Sequence, residues 1–145
     1  MNRRDLAATA LAAIAVATLL ATVGIPDPET VGAELLATAA VYLFLVATSG
    51  YVVRTALWFA GATDIAEEVD TGRAVGKVEN VLVLTLVFVG AYTALGLVFT
   101  AKSIVRYQDM SSGNTTYYLT GSVANFTYSL FVGVLATAVL PPIPL

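Results

Sequence analysis

The chain has 145 residues, of which 58% are hydrophobic and 12% charged, and a formal net charge of −3. A soluble domain carries roughly a quarter charged residues, so this composition excludes an ordinary water-facing surface and points to an integral membrane protein. The absence of cysteine and histidine excludes disulfides, thiolate nucleophiles, His-ligated haem, iron–sulfur clusters, the usual zinc sites and the commonest general base; the acidic balance argues against a nucleic-acid partner.

The first apolar run, 6–24, follows "MNRRD". Two arginines, an apolar stretch and small residues near Ala21 and Gly24 have the layout of a secretory signal, and "RRDL" is a partial twin-arginine match. The run is nevertheless long enough to span, since about 20 residues suffice, and the expectation is a retained helix. "IPDPET" breaks the chain with two prolines and offers Asp27, Glu29 or Thr30 as the next helix start. The second run, 35–60, is apolar apart from Arg54 and some hydroxyls. An acidic loop, "GATDIAEEVDTGRAVG", follows, in which the acids suit a short interfacial turn.

The third run, 78–101, is the cleanest. Continued as one helix from Lys77 through Tyr107 it would be roughly 46 Å long at 1.5 Å per residue, against a hydrocarbon core of ~30 Å. "QDMSSGNTT" supplies turn chemistry, with a glycosylation tripeptide at Asn114. The equally good match at Asn125-Phe126-Thr127, inside the last run, shows how weak that signal is. The last run, 117–140, ends at "PPIPL". No run alternates as a barrel strand would, so the expected fold is all-α, a four-helix integral membrane bundle forming one transmembrane domain.

With the N-terminus inside, Arg3, Arg4, Arg73, Lys77 and a snorkelling Arg54 face Lys102 and Arg106 across the bilayer. That bias predicts both termini in the cytoplasm. Lys102 and Arg106 then sit where the long third helix leaves the hydrocarbon, as interfacial anchors or contacts for an anionic headgroup. Arg54 is costly inside a span, and Glu79 enters the third run at the same face. The two are the candidate ion pair. Gly121, Asn125, Ser129, Gly133 and Thr137 recur every four residues and form a small, partly polar stripe suited to close helix packing. Ala13, Ala17 and Ala21 give the first helix a weaker one. Tyr107, Tyr117 and Tyr118 suit an aromatic belt.

Between Gly72 and Leu135, "GRAVGKVEN", "ALGLVFTAKSIVRY" and "YYLTGSVANF" stand in an order that resembles the membrane-embedded C-terminal part of a widespread prokaryotic family of multi-pass proteins of unknown function. The most specific element is "AKSxxR" followed by an aromatic residue. The resemblance implies a membrane fold and a core of Gly76, Glu79, Lys102, Ser103 and Arg106, and no known reaction. Asn80 stands where the family's pattern has arginine.

Residue types and spacing thus lead to a small structural or accessory protein of the cell membrane, in contact with lipid and assembling with itself or a membrane partner. They supply no cofactor, metal or catalytic residues. A small transporter or channel, with the charged residues flanking a path, is the alternative. Acid-rich loops, scarce lysine and abundant Ala, Val and Thr suit a halophilic archaeal source.

Overall fold

The computed structural model describes residues 3–23, 31–62, 69–109 and 115–140. Among them are five α-helices and no strand: α1 (Arg3–Val23), α2 (Val31–Phe59), α3 (Val69–Phe88), α4 (Tyr92–Asp109) and α5 (Thr115–Val139). Asn114, the helix-start candidates Asp27, Glu29 and Thr30, the acids at 63–68 and the final prolines lie outside the described residues.

The third apolar run is two helices rather than one. Gly90 adopts φ +67, a left-handed conformation that costs an L side chain steric strain and glycine almost nothing. Its N–H bonds the Val87 carbonyl at 3.0 Å, and the Ala91 N–H reaches back to Leu86 at 2.8 Å. That pair of bonds is a Schellman cap, which satisfies carbonyls a helix end would otherwise leave open. The same device ends α2: Gly61, also at φ +67, bonds Trp58, and Ala62 bonds Leu57.

After the turn, α4 runs back along α3. Lys102 meets Glu79, and Leu82, Val83, Val98 and Phe99 share one pocket. The expected helix of ~46 Å is therefore a hairpin.

Side-chain contacts give the remaining directions. Thr9 meets Tyr51 and Leu19 packs against the cluster containing Val41, so α1 and α2 are antiparallel. Thr48 meets Tyr128, and Gly121 faces Val53 and Leu57, so α2 and α5 are antiparallel as well. Gly76, Asn80 and Val87 meet Asn125, Ser129 and Gly133 in the same order, so α3 and α5 are parallel. Hence α1, α3 and α5 begin at one end of the array, where α2 and α4 finish.

The first and last described helical residues consequently lie at opposite ends, not at the same end as an even number of antiparallel helices would require. The extra turn at Gly90 reverses the parity. It also brings Lys102 and Arg106 to the end that holds Arg3, Arg4, Arg54, Arg73 and Lys77. All 7 cations of the chain lie in that half of the array. Among the described residues, Glu34 stands near the opposite end, in the first turn of α2.

Two apolar clusters form the interior. Val41, Leu45, Leu84, Val132 and Ala136 join α2, α3 and α5; Val83, Val87 and Leu95 close the α3–α4 hairpin under Leu86, Phe126 and Leu130. Two helices, Gly32–Phe59 and Thr115–Val139, are long and apolar enough to cross a membrane by length and composition, and the apolar segments Leu6–Ala21 and Tyr92–Val105 are shorter.

Candidate functional site

Polar side chains converge where α3, α4 and α5 meet. Glu79 forms an ion pair with Lys102, whose side chain is 17% exposed against 23% for the glutamate. The next residue, Asn80, is fully buried. Its Oδ1 accepts from the Ser129 hydroxyl at 2.7 Å, and that hydroxyl also lies 2.9 Å from the Asn125 carbonyl. The Asn125 amide in turn donates to the Gly76 carbonyl at 3.1 Å. A Cβ at Gly76 would stand 3.6 Å from the Asn125 nitrogen, an ordinary contact. The Asn80 amide nitrogen has no hydrogen-bond partner.

The cluster stands near mid-height of the neighbouring helices. Ser129 is adjacent to Tyr128, which bonds Thr48 at 2.6 Å, and both lie near the middle of their helices. Below it, toward the cation-bearing end, α3 carries Gly72, Arg73, Gly76 and Lys77. Above it the hairpin is apolar. A cavity of about 70 Å³ adjoins the ion pair, lined by Glu79, Lys102 and Asn125 and by apolar walls that include Val98 and Phe126.

The expected pairing of Arg54 with Glu79 is not the one formed. The antiparallel arrangement of α2 and α3 is present, but Tyr42 bonds Thr85 at 2.7 Å. In that register Glu79 is level with the middle of α2, and Arg54 lies further toward the cation-bearing end. Arg54 is exposed and stands over the Tyr51 ring, 5.8 Å from its centroid. Its place beside Glu79 goes to Lys102, delivered by the turn at Gly90. Lys102 is thereby directed to an internal carboxylate; the Arg106 side chain lies outside the described residues.

The four-residue stripe on α5 divides by neighbour. Asn125, Ser129 and Gly133 are buried against α3. Gly121 faces α2, and Thr137 is exposed and bonds its own helix at Val134. Four-residue spacing drifts around a helix of 3.6 residues per turn, and the drift carries the stripe from one neighbour to the other. Ala15 is buried on α1, while Ala13, Ala17 and Ala21 are exposed, so the alanine stripe of α1 is not its contact face. Among the described residues no group of three or more acidic side chains could hold a metal ion. The sequence reading named Asn80 only as a departure from the family's pattern, not as a buried, bonded residue, and it missed Gly90. Both had a visible signal, an amide and a glycine within an otherwise apolar run.

No family model, curated protein or solved structure matches the chain.

Proposed function

We propose that the protein is a multi-pass integral membrane protein of structural or accessory type, which assembles with itself or a membrane partner. The observation that carries this reading is an apolar outer surface around an interior that includes buried polar groups. Fully or nearly fully buried positions hold Ser49, Asn80, Asn125 and Ser129, whereas large apolar side chains face outward on every helix: Leu20 71%, Phe59 78%, Val78 70%, Leu97 67% and Val139 66% exposed. Water penalises such a surface at about 25 cal/mol for each Å²; hydrocarbon does not. Interhelical bonds between hydroxyls and amides, as in Tyr42–Thr85, Thr48–Tyr128 and Ser129–Asn80, are the glue expected of helices that gain little from the hydrophobic effect among themselves.

Cations favour the cytoplasmic face, so the end gathering all of them is cytoplasmic in this reading and the end of α5 is outside. The buried polar groups bind helix to helix, which favours an accessory role over a transporter. Fractionation followed by the detergent-corrected mass of the purified protein tests the proposal. Retention in the membrane after alkaline washing, with a mass above that of one chain or a co-purified partner, is expected. Release by the wash, or a lone monomer, overturns it.

A further inference from the structure

We infer that the Glu79–Lys102 pair closes the inner end of a one-sided aqueous cleft between α3, α4 and α5, open toward the cation-bearing end and holding water. The inference rests on the membrane reading, because only there does water at mid-height have to be explained. Four observations carry it. An ion pair only partly withdrawn from solvent stands level with the middle of α2 and α5, where a charge without hydration is costly. The adjoining cavity of about 70 Å³ is bounded by both charges and by Asn125 among otherwise apolar walls, with room for one or two waters at roughly 30 Å³ each.

Toward the cation-bearing end, Gly72 and Gly76 stand four apart on α3. A Cβ at Gly72 would meet nothing within 4 Å, and one at Gly76 would meet only Asn125, so these two positions leave the space beside them below the pair unfilled. On the other side, Val83, Val87 and Leu95 are 3%, 1% and 7% exposed and are covered by Leu86, Phe126 and Leu130. That plug offers water no polar partner. The cleft therefore ends at the pair.

The chain has no cysteine, so any introduced thiol is unique. Silver ion, a small hydrated cation, is added from the cation-bearing side to vesicles carrying single cysteines, and the remaining free thiol is counted after denaturation. Gly72→Cys marks the entrance, Val98→Cys the cavity wall, Leu95→Cys the plug and Leu97→Cys the outward face. Gly72→Cys and Val98→Cys are expected to be blocked at least about tenfold faster than the other two, since the reacting thiolate needs water. If Leu97→Cys is blocked as fast as Gly72→Cys, the membrane reading itself fails. A protected Val98→Cys beside a reactive Gly72→Cys and a protected Leu97→Cys sinks the cleft alone. Replacing both charges, Glu79→Leu with Lys102→Leu, in the Val98→Cys chain should slow the block by about tenfold; an unchanged rate overturns the role given to the pair.

Discussion

The two seams of α5 are built on different rules. Against α2 it makes a hydroxyl bond between Thr48 and Tyr128 and a loose aliphatic contact, where a Cβ at Gly121 would lie 3.8 Å from Val53. Against α3 it uses amides, a serine and Gly133, where a Cβ would stand 3.0 Å from Val87 Cγ1 and 3.1 Å from its Cβ. The first seam joins two helices long enough to cross a membrane and has slack. The second holds a helix whose first turns are polar, and it has none. Close backbone approach and buried hydrogen bonds therefore serve a helix that is less apolar than α2.

The largest test of that contrast is Gly133→Leu. Val87 is 1% exposed and β-branched, hence nearly fixed at χ1 in a helix, so it cannot yield to a new side chain. Overpacking of this kind costs typically 1–3 kcal/mol and sometimes more, and about 3 kcal/mol is expected in a thermal melt in detergent. Asn125→Leu should cost less, because interhelical bonds in membranes are worth about 0.6–2 kcal/mol. The reverse order would mean that the amide, not the close approach, holds α3.

Next comes the ion pair. Glu79→Gln leaves Lys102 without its counter-charge, and removing one partner of a fully buried pair costs about 3–5 kcal/mol. At the exposure seen here about 1–2 kcal/mol is expected. Lys102→Leu added to Glu79→Gln should lose less than the two single losses summed. Strict additivity would show that the pair is not coupled. The same cycle with Arg54→Leu should be additive.

Much of this second seam could be read in the sequence, and its partner assignments could not. The stripe of Asn125, Ser129 and Gly133 was legible because small and polar residues at helical spacing stand out in an apolar run. Glu79, Lys102 and Arg54 were legible as charges in the wrong solvent. Their pairing depended on one backbone torsion. A glycine among valines is compatible with a continuous helix, and sequence spacing assigns it no cap. Once Gly90 turns, every position after it changes its level and its end, so Lys102 replaces Arg54 and the first and last described helical residues part. Asn80 was passed over because a single amide weighs little in a hydropathy pattern; only packing shows that it is buried and bonded.

Gly90→Ala tests that torsion directly. At φ +67 the added methyl costs about 1–2 kcal/mol, and the alternative open to the chain is a straightened helix. A loss of about 1 kcal/mol with the Glu79–Lys102 coupling retained is expected from the same melts and cycle. Unchanged stability would show that the chain does not turn there.

The smallest effect separates the seams most cleanly. Gly121 stands in the helical interior of α5, where glycine gives up about 0.8–1 kcal/mol of intrinsic helix stability relative to alanine in water. Its would-be Cβ makes ordinary contacts, at 3.8 Å to Val53 and 4.0 Å to Leu57. Gly121→Ala should therefore stabilise the protein by about 0.5 kcal/mol. Gly133→Ala adds the same methyl to the same helix and gains the same propensity, yet it presses on Val87 within 3.3 Å at three atoms and should lose stability. Opposite signs from one substitution at two glycines on one helix would locate the tight seam on α3. Equal signs in matched melts would mean that α5 meets both neighbours alike.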